Sequence, residues 1–308
     1  FFHAEDGIRD RSPSRGLGDV YKRQERTWDE AVQLTINSLA PLGDEYCQVL
    51  TQGLKGRWCD RYPNVGKQAG AFSAGSYDGD PYIMMNYKPT VFNDVFTLTH
   101  EAGHSMHSHL SSQCQPYEYY NYTIFVAEVA STFNEELLGH YLLEKADDTN
   151  QRAYLINRAI DDIRGTIIRQ TMFAEFEKLS HEMVESGEPL TVEALRHMYG
   201  GLLHDYFGPD FQIDNELELE CLRIPHFYRA FYVYKYATGM SAAIALSQRV
   251  LQGGSAELED YLNFLRSGCA QDPLDLLRHA GVDMESPEPV QTALGKFEQL
   301  VNELDELL

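Results

Sequence analysis

Most of the chain carries apolar residues at the three-to-four-residue spacing of amphipathic helices. The pattern runs through residues 28–54 with a break at Pro41, and again through 91–110, 125–138, 154–186, 191–206 and 228–251. Within 154–186, Ile156, Ile160, Ile163, Ile167 and Met172 recur at helical spacing and read as core. The boundaries are punctuated by residues that stop or start helices. Gly187 and Pro189 separate two of them, and Gly253-Gly254 ends the run from 228. Asp272-Pro273 and Ser286-Pro287 each place a capping side chain before a proline in the first turn, and Gly281 ends the helix between them. Asn93 and Asp94 are candidate caps for the helix that follows them. The pattern predicts a mainly α fold.

Two stretches depart from it. In residues 68–87, Ala71-Phe72-Ser73-Ala74 and Tyr82-Ile83-Met84-Met85 flank Asp78-Gly79-Asp80-Pro81, which predicts a short β-hairpin. An exposed strand edge beside a cleft can pair main chain to main chain with an extended peptide. Residues 1–24 show no apolar periodicity and lack the apolar centre of a secretory signal. They read as a non-native leader, similar to a translated sequencing adapter, and the catalytic domain is expected over 25–308.

Charge and cysteine usage narrow the function classes. There are 47 Asp and Glu against 25 Lys and Arg, a formal net charge of −22, which argues against nucleic acid or an anionic membrane as the partner. No apolar run reaches the roughly 18 residues that a membrane span needs. Cys47, Cys59, Cys114, Cys221 and Cys269 show no close pairing, as expected of free thiols in the cytoplasm.

The chemistry centres on His100-Glu101-Ala102-Gly103-His104. Residues four apart lie on one helix face, so His100 and His104 can offer two imidazole nitrogens to one ion, with Glu101 beside them to handle the protons of a water. Catalytic zinc takes three protein ligands and leaves a position for water. Glu128, amid Val126, Val129 and Phe133 in the following helical run, is the candidate third ligand. A carboxylate buried there is costly without a cation. His107 falls on nearly the face of His100 and reads as a polar neighbour of the site, His109 as solvent-facing. Glu135 lies on the face of Glu128 and can accept from a ligand histidine.

The segments Thr99-His100-Glu101-Ala102-Gly103-His104-Ser105-Met106 and Phe125-Val126-Ala127-Glu128-Val129-Ala130-Ser131, with Tyr82-Ile83-Met84-Met85-Asn86-Tyr87 before them and His226-Phe227-Tyr228-Arg229-Ala230-Phe231-Tyr232 after, resemble the M3 family of zinc oligopeptidases, oligoendopeptidase F branch. The resemblance implies a helical zincin-type catalytic domain with a small sheet beside the active-site cleft, one Zn²⁺, and short unfolded peptides as substrates. It also implies a helical N-terminal half that this chain lacks and that would be its intramolecular partner. Family members use a histidine and tyrosines of the late segment to bind substrate and stabilise the transition state. His226, Tyr228 and Tyr232 are the matching residues, with Tyr236 on the same four-residue spacing and Tyr234 in reserve. The expected function is a metalloendopeptidase. A zinc carboxypeptidase of similar helical fold and an inactive truncated fragment are the alternatives.

Overall fold

The computed structural model describes residues 25–308, so the expected leader at 1–24 lies outside the described residues. The described chain forms two compact units, one running up to Ile160 and resuming over Gly239–Leu308, the other comprising Asp161–Thr238.

In the first unit, α1 (Trp28–Ser38) opens on a reciprocal cap: Thr27 Oγ1 accepts from Glu30 N at 3.3 Å, and the Glu30 carboxylate accepts from Thr27 N at 2.7 Å. A single 3₁₀ turn containing Pro41 and then Gly43, at φ +89°, breaks the helix before α2 (Asp44–Lys55). The expected hairpin is present as β2 (Phe72–Ala74) antiparallel to β3 (Tyr82–Met84). A further strand, β1 (Cys59–Asp60), pairs parallel with β3, giving the order β1-β3-β2 with β2 at an edge. Two residues are too few to leave an alternating pattern, which is why the sequence did not announce β1.

Helix α3 (Asn93–Cys114) carries the His-Glu-x-x-His motif, and α4 (Ile124–Glu144) carries Glu128. Neither expected cap works as one. Phe92 occupies the cap position with helical dihedrals and no side-chain bond, the Asp94 carboxylate accepts from Lys88 N at 2.7 Å, and Asn93 Oδ1 accepts from Arg158. The two helices touch backbone to backbone at Gly103, where a Cβ would lie 2.6 Å from both Ala130 O and Ser131 Cα. Val95, Leu98, Ala102 and Met106 of α3 and Val126, Val129, Ala130 and Phe133 of α4 are fully buried in one core. That core includes Tyr261 of a later helix (Ser255–Arg266), stacked on Phe133 at 3.8 Å. Asp272 caps Pro273–His279 through Leu274 N at 3.0 Å, and Gly281 ends it at φ +91°.

The second unit has its own core, built on Met172, Phe173, Phe176, Tyr199, Leu203 and Val233. Helix α5 (Thr149–Ile163) leads through a π turn at Arg164–Ile168 into α6 (Arg169–Glu185), and Thr191 caps α7 (Val192–Phe207) by accepting from Ala194 N at 3.1 Å. Glu220, buried, is satisfied by Arg169 at 2.6 Å, Arg223 at 2.9 Å and the Tyr199 hydroxyl at 2.6 Å.

The late aromatic segment also departs from its expected helix. A helix was expected over 228–251, but α8 spans Tyr234–Gln252. Pro225–Tyr228 is a 3₁₀ turn, and Phe231, at φ +54°, is in the left-handed region that no α-helix tolerates. Tyr228, Tyr232 and Tyr236 therefore do not form one helical stripe. Tyr228 lies on the turn, Tyr232 in a loop, and Tyr236 alone of the three is helical.

Candidate metal centre

Helix periodicity does the first part of the assembly. On α3 the rings of His100 and His104 lie 4.9 Å apart, and the Nε2 atoms face the same carboxylate oxygen. Glu128 Oε2 is 3.4 Å from His100 Nε2 and 3.6 Å from His104 Nε2. One ligand atom from each of the three residues falls within 4.8 Å of the others, and no other such group occurs among the described residues. The close approach at Gly103 brings the second helix near enough for Glu128 to reach the histidines. Gly239 helps from another side, since a Cβ there would sit 3.4 Å from Glu128 Cβ.

Partners outside the three fix their orientation. His100 Nδ1 donates to Glu135 Oε1 at 2.6 Å, which leaves Nε2 as the nitrogen facing Glu128. Glu135 is itself paired with Arg158 at 3.5 Å, and that guanidinium lies over the Phe96 ring at 3.4 Å. Ser131 Oγ donates to Glu128 Oε2 at 3.2 Å. The Tyr122 hydroxyl donates to His104 O at 3.4 Å, and its ring stacks on His107 at 3.6 Å, nearly parallel. Ser73 Oγ and Ser105 Oγ, 2.8 Å apart, tie the edge strand β2 to the motif helix.

The electrostatics describe a pocket arranged for positive charge. Burial works against a charged His100, but the hydrogen-bonded Glu128 and Glu135 carboxylates outweigh it and raise its pKa well above 6.5. Burial likewise works against an ionised Glu128, yet His104 and His100 hold it well below 4.5. Donors 2.0–2.1 Å from one tetrahedral ion lie about 3.3–3.4 Å from each other. The His–Glu separations match that figure, and the two-imidazole, one-carboxylate donor set is one that divalent zinc takes.

Glu101 is buried, at 2 % exposure, beside His100 in sequence. His107 is buried as well, and its Nδ1 has no hydrogen-bond partner. Burial pushes its pKa down to about 3, so it is a neutral packing residue. His109, expected in solvent, is instead partly covered, with its ring 5.9 Å from Trp58. Ser131 stands one turn from Glu128 and could have been found by helical spacing. Arg158 and Tyr122 arrive from other segments and leave no local signal.

In the second unit His226, Tyr232 and Tyr236 cluster. The His226 and Tyr232 rings stack at 5.8 Å, Tyr232 and Tyr236 meet edge to face at 5.7 Å, and the Tyr236 hydroxyl is 3.5 Å from His226 Nε2. Burial and the nearby Arg229 charge both lower the pKa of His226. Tyr228 is 87 % exposed and outside this cluster, and Tyr234 lies under the Lys235 ammonium at 4.6 Å.

Known proteins are similar to this chain in sequence and in structure. Oligopeptidase PepF of Bacillus subtilis is 52 % identical over 282 residues, a match covering 92 % of this chain and 42 % of that protein. The oligoendopeptidase F homolog of Borreliella burgdorferi is 45 % identical, covering 94 % of this chain and 49 % of the relative. The crystal structure of oligoendopeptidase-F from Enterococcus faecium superposes with a TM-score of 0.69 at 37 % identity, covering 90 % of this chain and 43 % of that one. The chain thus spans less than half the length of each of these relatives. The family description "Peptidase family M3" matches residues 20–296, and the chain belongs to peptidase family M3.

Proposed function

We propose that this chain is the zinc-binding catalytic part of a metalloendopeptidase that cuts internal bonds of short, unfolded peptides, with residues 25–308 as its catalytic domain. The observation that carries the reading is the convergence of His100 Nε2 and His104 Nε2 on one oxygen of Glu128, at 3.4 and 3.6 Å. His100, His104 and Glu128 are the proposed zinc ligands. Zinc bound there would supply a Lewis acid and bring the pKa of a water to about 7. Glu101, one residue along from a ligand and not needed for coordination, takes the proton from the attacking water and passes it to the leaving amine. The oxyanion that develops on the scissile carbonyl needs donors, each typically worth about 10²–10³ in kcat. His226, Tyr228 and Tyr232 are the assigned donors, and the contacts of Tyr232 with His226 favour it over the exposed Tyr228. Glu135 holds the His100 ring in the tautomer that coordination requires.

We also propose a cytoplasmic location for the chain. Its cysteines are free thiols, which suits the reducing cytoplasm, and no described helix is long and apolar enough to cross a membrane.

The test is an internally quenched peptide blocked at both ends, supplied to the zinc-loaded chain. Cleavage that a chelator abolishes and zinc restores is expected. Trimming of peptides with a free C-terminal carboxylate, with none of the blocked peptide cut, would make the protein a carboxypeptidase instead.

A further inference from the structure

The loop 229–233 carries Tyr232 and does not follow the helical path its sequence favours. What holds it is a residue distant in sequence. Glu177, on α6, is 3 % exposed, and its Oε1 accepts from the Phe231 N–H at 2.5 Å. Phe231 is the one non-glycine at positive φ among the described residues, a region sparsely populated by side chains of its size. Its carbonyl is engaged too, accepting from Lys235 Nζ at 2.8 Å. Both polar groups of that residue are therefore committed, one to a buried carboxylate and the other to an ammonium.

The clamp is itself braced. The Glu177 carbonyl accepts from His181 Nδ1 at 2.7 Å and from Ser180 Oγ at 2.8 Å, and the His181 ring lies 4.7 Å from the Phe231 ring. Beyond Phe231, Val233 is sunk in the core at 1 % exposure, so the loop is pinned at two points with Tyr232 between them. Burying a carboxylate is costly unless it is hydrogen-bonded. Here the bond made is to a backbone amide in a conformation that would otherwise be unfavourable. An apolar side chain filling the same volume would meet the packing need without holding the amide.

We infer that Glu177 is a positioning residue: by holding the Phe231 N–H it keeps residues 229–233 out of α8 and fixes Tyr232 against His226. The consequence for turnover rests on the reading of the protein as a peptidase, whereas the clamp does not.

The experiment compares the zinc-loaded full chain with Glu177→Ala and Glu177→Gln, measuring amide hydrogen exchange and peptide turnover. Glu177→Ala is expected to raise exchange across residues 229–233 by tenfold or more, on the order of the loss of one strong hydrogen bond, with exchange around Tyr199 and Leu203 unchanged. The same variant should lower kcat by about 10- to 100-fold with KM little altered, as expected of misplaced catalytic groups. Glu177→Gln keeps an oxygen at the same place and should restore most of both. A Phe231 amide equally protected in Glu177→Ala would overturn the clamp. Faster exchange with unchanged kcat would overturn the positioning role. Global loosening that Glu177→Gln fails to rescue would mean that Glu177 serves only the core. The expected exchange pattern in a chain without turnover would uphold the clamp and count against the peptidase reading alone.

Discussion

Single residues decide whether the two ligand-bearing helices can meet. Gly103 lies inside the motif, directly before His104, yet its contribution is the absence of a side chain. A Cβ there would stand 2.6 Å from the backbone of α4, which cannot step aside as a flexible side chain would. Gly103→Ala gains up to about 1 kcal/mol of helix propensity and should still lose about 1–3 kcal/mol net from overpacking. Urea unfolding measures the stability, and zinc affinity should fall with it because the helices are pushed apart. Stability equal to or above the parent's would show that the approach is looser than described. His107 makes a second prediction. Its folded-state pKa, near 3, lies below the ordinary 6.5 because burial disfavours the charged ring. The unfolded chain therefore binds the extra proton first, so stability is full above pH 6.5 and drains as pH falls towards 3, by up to about 1.4 kcal/mol per pH unit. His107→Phe keeps a ring against Tyr122 and removes the titration. Between pH 7 and 5 the parent should lose about 2 kcal/mol more than the variant in urea unfolding. Parallel pH dependence in the two would rule this out.

At the scale of elements, local signals served well wherever the determinant was local. Asp272 and Gly281 sit where a cap and a stop were expected, Thr191 caps the helix whose run it opens, and Pro41 breaks the helix it interrupts. The juxtaposition of the candidate ligands was legible for the same reason. His100 and His104 share a helix face by their spacing, and so do Glu128 and Glu135, whose carboxylate reaches His100 Nδ1. What stayed hidden depends on partners far along the chain. The late tyrosines have helical spacing, and nothing near them says that Glu177 captures the amide of Phe231 and breaks the helix. Asn93 reads as a cap but accepts from Arg158, a residue from another helix. The strand β1 is too short to be read from alternation and exists because β3 offers it a partner.

For the molecule as a whole, the balance is acidic, at a formal net charge of −22, and the one group of converging metal-ligand atoms among the described residues lies between α3 and α4. Membership of family M3 and the converging ligand atoms point to the same chemistry from independent directions. In the proposed chemistry His100, His104 and Glu128 hold zinc while Glu101 works on the water without holding it. Metal content by inductively coupled plasma mass spectrometry, on the parent, Glu128→Ala and Glu101→Gln after dialysis against trace zinc, separates those roles most directly. About one zinc per chain is expected in the parent and in Glu101→Gln, with Glu101→Gln losing nearly all turnover of the blocked peptide, and little zinc is expected in Glu128→Ala. A full complement of zinc in Glu128→Ala, or its loss in Glu101→Gln, would contradict the assignment.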